Sequence, residues 1–497
     1  MKLDKIIDGL NCNISVGERA AKNPEIETIV YDSRKAKRDT IFTAIPGETV
    51  NGHRFISSAY EKGCRVFVIS EECNMPEDVI TIKVDDSRKA LSKMSSNFFG
   101  NPSSEMKVIG VTGTKGKTTI TGFLSQVMQA GGMKTGVIGT NGIFYNGKSV
   151  ETANTTPESY ELHKNFRAMA DDGVDAVFME VSSSGLMMHR VQDVDFDITV
   201  FTNISPDHIG PKEHASFEDY LNCKAMLFSM ADTAVINSDD NRAQDFIQTA
   251  NSAGAQLITF GFNGEPSYKA EKVDYSTSLD TLGSQFTLKD NLLKKEFKYI
   301  SSSPGKFSIY NCLSVIAVAR SLSMDHPSII DAVKTAKVPG RVEVINQIPG
   351  SPIVLDYAHN GISLENILST MKLYNPKRLI CLFGSIGGRA ILRREELALV
   401  AREYTDISII TSDNPDNEDP DKIIDEIISY FGDYSGQLIR ETDREKAIHI
   451  AVDMLQPGDL LVVAGKGHET YQLIHGEKVP FDEKGIILEA VEKKINK

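Results

Sequence analysis

The chain has 497 residues, 41% hydrophobic and 25% charged, which is the balance of an ordinary globular protein and a length that divides among about two to four cores. Lys and Arg number 54 against 68 Asp and Glu, a formal charge of −14. That excludes nonspecific nucleic-acid binding through the global field and leaves room only for a local basic pocket for small anions.

Apolar runs stay shorter than the roughly eighteen residues a membrane helix needs, and the N-terminus MKLDKIIDGLNCNISVGERA breaks its apolar stretches with charge. A cytoplasmic protein without membrane insertion is expected. Cys12, Cys64, Cys73, Cys223, Cys312 and Cys381 are scattered with no C-x-x-C pair, so they read as buried reduced thiols rather than zinc or redox groups.

In chain order, short β-rich runs at 27–31, 40–44 and 65–69 precede a helical pattern over 87–99, and Asn101-Pro102-Ser103-Ser104 reads as a linker. Apolar runs of strand length then alternate with helical stretches: 107–111, a helix after Lys117, 175–180, 197–202 and 233–237. The alternation predicts α/β structure with a mostly parallel sheet. After a break at Lys337-Val338-Pro339-Gly340 it restarts with 353–356, 379–383, 407–411 and 460–464, which predicts a Rossmann-like C-terminal domain. The expected domains are 1–102, 103–338 and 339–497.

The strongest local signal is Gly110-Val111-Thr112-Gly113-Thr114-Lys115-Gly116-Lys117-Thr118-Thr119, between an apolar strand and an amphipathic helix. Glycines let backbone N–H groups approach phosphate oxygens, the helix N-terminus and Lys117 supply positive potential, and the Thr118 hydroxyl suits Mg²⁺. Val111 stands where the strict G-x-x-x-x-G-K-[ST] pattern has its first glycine, and a plain Gly-rich turn opening a helix is the alternative. The run 175–180 ends in Glu180, placed like the acid that accompanies such a loop.

The form T-G-T-x-G-K-T-T, followed by Asn154-Thr155-Thr156-Pro157, Glu180-Val181-Ser182-Ser183-Ser184, Asn203-Ile204-Ser205-Pro206-Asp207-His208 and Tyr220-x-x-x-Lys224, resembles the Mur ligase family. Pro339-Gly340-Arg341-Val342-Glu343, Asp356-Tyr357-Ala358-His359, Asp413-Asn414-Pro415 and Gly465-Lys466-Gly467-His468-Glu469 extend the resemblance over nearly the whole chain and towards its tripeptide-forming branch. The resemblance implies a three-domain α/β enzyme: an N-terminal domain holding a uridine nucleotide, a central P-loop ATPase, and a Rossmann-like domain bringing an amino acid. ATP would phosphorylate the D-Glu carboxylate of UDP-N-acetylmuramoyl-L-alanyl-D-glutamate, and a diamino acid would attack the acyl phosphate to give an amide, ADP and phosphate.

By the same resemblance Gly113, Thr114, Lys115, Gly116, Lys117, Thr118 and Thr119, with Asn311, Arg341 and Asp356, would bind ATP. Thr118, Glu180, His208 and Lys224 would serve Mg²⁺, the lysine as a carbamate, which offers anionic oxygens where an ammonium would repel the metal. Lys117, Glu180, His208 and Lys224 are the expected catalytic set. Ser33 with Arg34, the Asn51-Gly52-His53 segment, Thr155, Thr156, Ser182 and Arg190 would hold the UDP substrate, and Arg389, Asp413, Asn414, Asp416, Gly465 and Glu469 the amino acid. The expected partners are the UDP-N-acetylmuramoyl dipeptide and a free diamino acid, with ATP and Mg²⁺ as cofactors, no nucleic acid, and a monomeric enzyme.

Three positions depart from the pattern. Members adding meso-diaminopimelate usually carry D-N-P-R, whereas this chain reads Asp413-Asn414-Pro415-Asp416; an acid there would repel a distal carboxylate and attract an ammonium, so L-lysine or ornithine is favoured over meso-diaminopimelate. Asp416 pointing to solvent in an acidic run is the alternative. Ala390 follows Arg389 where an acid is usual, and Met188 stands where a glutamine usually contacts the dipeptide. Folate polyglutamylation, a noncatalytic paralogue binding a cell-wall precursor, and a P-loop motor remain as competing functions.

Overall fold

A computed structural model describes residues 1–496 apart from 48–49, 208, 211–212, 276–281 and 389–390. His208, Arg389 and Ala390 therefore lie outside the described residues. The chain divides into two compact units, Met1–Pro266 with Ala317–Ser323, and Ser267–Ile316 with Met324–Lys497.

The first unit opens with a five-stranded sheet in the order β1(Asn13–Val16), β5(Ile80–Lys83), β4(Val66–Ile69), β3(Thr40–Thr43), β2(Thr28–Val30), parallel except at β1. The helix Ser87–Phe98 starts where the Asp86 carboxylate accepts the Arg88 and Lys89 amides, and it buries Ala90, Leu91 and Met94 in the same core as Ile41, Val68 and Ile82. The expected linker at 101–104 is a bound turn: Pro102–Glu105 is a single 3₁₀ turn in which Ser103 is buried and its Oγ accepts the Asp195 amide at 3.1 Å.

A second sheet runs β13(Gln256–Gly261), β12(Ala231–Asn237), β11(Phe196–Phe201), β6(Lys107–Thr112), β10(Ala176–Glu180), β7(Thr135–Gly139), β8(Gly142–Tyr145), β9(Lys148–Val150), parallel as far as β7 and closed by two antiparallel pairings. Its centre reads as continuous apolar runs because both faces are covered, with Val108, Ile109, Val111, Val177, Phe178 and Met179 fully buried. β6 and β10 lie side by side with Glu180 opposite Val111, so the phosphate-type loop and the acid emerge at the same carboxyl edge, where open parallel sheets bind ligands.

In the second unit β14(Tyr268–Asp274), β15(Ser284–Asp290) and β16(Lys295–Ser301) form an antiparallel meander. This element interrupts the α/β alternation that the sequence predicts. A further sheet runs β17(Glu343–Ile345), β18(Ile353–Asp356), β22(Leu460–Ala464), β19(Leu379–Phe383), β20(Ile407–Ile410), β21(Gln437–Arg440), parallel except at β17, and a hairpin joins β23(Tyr471–Ile474) to β24(Glu477–Pro480). No helix among the described residues is long and apolar enough to cross a membrane.

Candidate active site

The loop after β6 is shaped by contacts that only small residues permit. Gly113 has φ +144°, and a Cβ there would lie 2.0 Å from Thr202 Oγ1, so a side chain at this point is excluded. The Thr114 amide donates to the Asn203 carbonyl (2.8 Å), the Lys115 amide to Asn203 Oδ1 (3.0 Å), and Thr202 Oγ1 to the Lys115 carbonyl (2.7 Å). Asn203 and its neighbours thus brace the loop from the end of β11. The helix Lys117–Ala130 begins at Gly116 with no side chain capping its first turn, which leaves its amide dipoles directed at an incoming anion.

Two lysines converge on this loop. Lys117 Nζ donates to the Gly113 carbonyl at 2.8 Å, and Lys224 Nζ reaches the same oxygen at 3.1 Å. Lys224 sits near the end of the helix Phe217–Ala225, started by Ser216 accepting the Asp219 amide, and its side chain is buried over the Tyr220 ring, 4.6 Å from the centroid. Burial first, and the Lys117 charge second, hold the Lys224 amine well below the ordinary lysine range. Nothing local in the sequence marks this: an isolated lysine on an amphipathic helix reads as a surface group.

Glu180 ends β10 almost wholly buried. Its carboxylate accepts the Thr140 amide at 3.0 Å and the Thr140 hydroxyl at 3.2 Å, and Thr140 Oγ1 lies 3.1 Å from Thr155 Oγ1. Gly139 makes room, since a Cβ there would meet Glu180 Oε1 at 2.2 Å. Thr140 escapes a sequence reading; its only signal is its place after the apolar run of β7. Thr156 Oγ1 donates to the Glu180 carbonyl and accepts the Ser182 amide, both at 3.0 Å, while Ser182 Oγ caps the next helical turn by accepting the Gly185 amide at 3.0 Å. The structure therefore brings together Lys117, Lys224, Glu180, Thr155, Thr156 and Ser182 around the ends of β6 and β10.

Arg190 donates to Glu158 Oε1 (2.8 Å) and to the Thr156 carbonyl (3.2 Å), and Arg88 approaches the same carboxylate at 3.5 Å. Arg88 and Glu158 are further residues that the sequence reading does not single out. Ser33 is buried in a turn capped by Asp32, whereas the Arg34 side chain is exposed and folds back onto Asp32. His53 ties loops together, its Nδ1 2.7 Å from Asn51 Oδ1 and its Nε2 accepting the Ser70 amide at 3.0 Å.

The second unit holds the remaining candidates, described by themselves. Asp356 ends β18, its carboxylate accepting the Val342 and Ala358 amides at 2.8 Å each, and the Arg341 guanidinium lies 4.6 Å from the Tyr357 ring centre. Asn311 is buried on the helix Lys306–Ser321. Asn414 Nδ2 donates to Glu469 Oε2 at 3.1 Å, and Gly465, with φ +117°, brings its backbone against the Asp413 carboxylate. Asp416 is engaged in shaping the chain. With φ +51° it pairs with Leu473 and His475 through its backbone, and its Oδ1 accepts the Gly476 amide at 2.8 Å, capping the β23–β24 turn.

Family models match along most of the sequence: "Mur ligase family, catalytic domain" over residues 25–99, "Mur ligase middle domain" over 111–319, and "Mur ligase, glutamate ligase domain" over 340–467. A UDP-N-acetylmuramoyl-L-alanyl-D-glutamate--2,6-diaminopimelate ligase of Clostridium perfringens is 38% identical over 99% of this chain and 100% of that protein. The chain belongs to the Mur ligase family. A solved structure of a ligase of the same name superimposes with a TM-score of 0.71 at 27% identity, covering 95% of each chain. A MurF ligase from Thermotoga maritima in complex with ADP shares the fold, with a TM-score of 0.59 at 18% identity over 95% of this chain and 98% of that one.

This Mur ligase is an ATP- and Mg²⁺-dependent enzyme, and its residues fit that ion. Among the described residues no cluster of three acidic, histidine or cysteine groups forms an all-protein cage. Mg²⁺ does not require one: it favours one or two carboxylates with hydroxyl, water and phosphate oxygens. The buried Glu180 carboxylate and the Thr118 hydroxyl at the helix start are hard oxygen donors of that kind.

Proposed function

We propose that this Mur ligase joins a diamino acid to UDP-N-acetylmuramoyl-L-alanyl-D-glutamate in peptidoglycan precursor synthesis, with meso-diaminopimelate as the amino acid. The observation that carries the reading is the convergence of Lys117 and Lys224 on the Gly113 carbonyl beside the β10 edge that ends in Glu180. The relatives' names support diaminopimelate over the lysine or ornithine that Asp416 suggests in the sequence. The turn-capping bond from Gly476 gives one oxygen of that carboxylate a structural task.

In the proposed reaction the γ-carboxylate oxygen of D-Glu attacks the terminal phosphorus of ATP, breaking the bond to ADP and forming an acyl phosphate. The amine of the amino acid then attacks the acyl carbon, phosphate leaves, and the nitrogen loses a proton as the amide forms. Lys117 and the open first turn of its helix would neutralise the charge spreading over the transferred phosphoryl group, where positioning and electrostatics supply most of the catalysis. Mg²⁺ supplies further positive charge there when bound, held by Thr118 and Glu180, with His208 and a carbamylated Lys224 completing the set. Arg190, Thr155, Thr156 and Ser182 would grip the UDP dipeptide, and Arg341, Asp356 and Asn311 the ATP. Arg389, Asp413, Asn414, Gly465 and Glu469 would receive the amino acid. The domains would run 1–102, 103–338 and 339–497.

The test is phosphate release with ATP, Mg²⁺ and the UDP dipeptide, comparing meso-diaminopimelate, L-lysine and L-ornithine and weighing the product. Turnover with meso-diaminopimelate is expected. Turnover with lysine or ornithine alone would return the specificity argument to Asp416, and substrate-independent silence would point to a noncatalytic paralogue.

A further inference from the structure

Lys466 follows β22 with no exposed side-chain surface, and its Nζ donates to Asn414 Oδ1 at 2.9 Å and Glu469 Oε2 at 3.2 Å, with Asp413 Oδ1 also at 3.2 Å. All three partners belong to the amino-acid site proposed above. The Asn414 amide thereby acquires one orientation: its oxygen receives Lys466 and the Leu473 N–H (2.9 Å), which leaves Nδ2 to donate to Glu469. The other Glu469 oxygen accepts the Tyr357 hydroxyl at 3.3 Å, and the Tyr357 ring carries the Arg341 guanidinium on its face. Replacing a whole buried cluster of charges by packed apolar side chains is usually neutral or stabilising, whereas removing the ammonium alone would leave two carboxylates buried without their partner. Stability alone does not account for keeping a charged cluster here.

We propose that Lys466 is a positioning residue for the amino-acid site. It fixes the side chains of Asn414 and Glu469 in the geometry that receives the incoming amino acid, and through Glu469 and Tyr357 it links that site to Arg341 in the same unit. The proposal rests on the assignment of the amino-acid site under Proposed function.

Steady-state kinetics on the full chain test it. Lys466→Met is expected to raise KM for the amino acid at least about tenfold while KM for ATP moves less than about twofold. The double variant Lys466→Met/Glu469→Gln is expected to lose clearly less than the sum of the two single losses, because residues acting as one unit are not additive. Equal shifts in both KM values, or additive losses, would overturn the proposal. Tyr357→Phe deletes one hydroxyl that donates to Glu469 and leaves every charged side chain in place, so it remains informative where Lys466→Met fails to fold. It is expected to raise KM for the amino acid about threefold, and an unchanged KM would overturn the link through Glu469. Silence of the wild-type enzyme with every amino acid would refute the ligase reading rather than this one. A crystal structure of Lys466→Met then decides: displaced Asn414 and Glu469 side chains support the positioning role, and unmoved ones overturn it.

Discussion

The side-chain nitrogens of Lys117 and Lys224 share one acceptor, the Gly113 carbonyl, at 2.8 and 3.1 Å. Two full positive charges that close to one oxygen would repel each other, Lys224 being buried and Lys117 partly buried. Burial and the Lys117 charge both favour the uncharged form of Lys224. A lowered pKa favours the uncharged amine of Lys224, the form that adds to CO₂, while in the function proposed above Lys117, at the helix start, would meet the phosphate.

A carbamate on Lys224 follows as the first prediction. Protein equilibrated with ¹³C-bicarbonate is expected to show a carbamate resonance that Lys224→Arg lacks. Lys224→Ala is expected to lower kcat at least about a hundredfold, equivalent to about 2.7 kcal/mol of transition-state stabilisation. A Lys224→Ala enzyme with full activity would remove Lys224 from the catalytic set.

Glu180 provides the second. Its carboxylate is held by two donors from Thr140, so Glu180→Gln keeps the shape and one acceptor and removes the charge. We expect phosphate release to fall about a hundredfold or more and the Mg²⁺ concentration for half-maximal rate to rise, with the melting temperature within about 4 °C of wild type because the Thr140 amide keeps an oxygen acceptor and the Thr140 hydroxyl can turn to accept from the new side-chain NH₂. Thr140→Val is expected to shift the same Mg²⁺ requirement by a smaller factor. A Glu180→Gln enzyme with unchanged Mg²⁺ dependence would contradict the role.

The parts of this site that were legible in the sequence are those whose chemistry is written in consecutive residues. The loop 113–119 carries its glycines, its lysine and its helix in one run, and Glu180, a common kind of strand-end acid by itself, gains meaning from closing an apolar run beside that loop. The illegible parts are made by contacts between distant segments. Lys224 meets Gly113 across 111 positions, Lys466 meets Asn414 across 52, and Asp416 meets Gly476 across 60. Residue type foretells that Asp416 is acidic, but only the hairpin β23–β24 shows that one of its carboxylate oxygens accepts a backbone amide. The antiparallel meander β14–β16 is hidden for a related reason, since alternating apolar residues in one strand do not reveal the direction of the next.

The turn-capping oxygen of Asp416 gives a third prediction. Asp416→Ala is expected to leave the order of preference among meso-diaminopimelate, lysine and ornithine unchanged while destabilising the hairpin by about 1 kcal/mol, the ordinary worth of a side-chain cap. Limited proteolysis across the segment 471–480 and kcat/KM for each amino acid measure the two effects separately. A change of preferred amino acid in Asp416→Ala would restore this residue to the specificity site.

His163 gives the last. It sits on the helix Ser159–Asp171, fully buried against Phe166, and neither ring nitrogen has a hydrogen-bond partner among the described residues. Burial lowers its pKa to about 3, so the folded protein keeps the ring neutral where an unfolded chain, titrating near its ordinary value of about 6.5, takes up a proton. The unfolded state then binds more protons between these two values, and stability falls as the pH drops through that window. At pH 5 this group alone costs about 2 kcal/mol relative to pH 8. His163→Leu fills the site with an apolar side chain that cannot titrate. Denaturant unfolding at both pH values is expected to show the variant gaining stability on wild type as the pH falls from 8 to 5, whatever their difference at pH 8. A gap independent of pH would mean that the imidazole finds a proton acceptor on protonation.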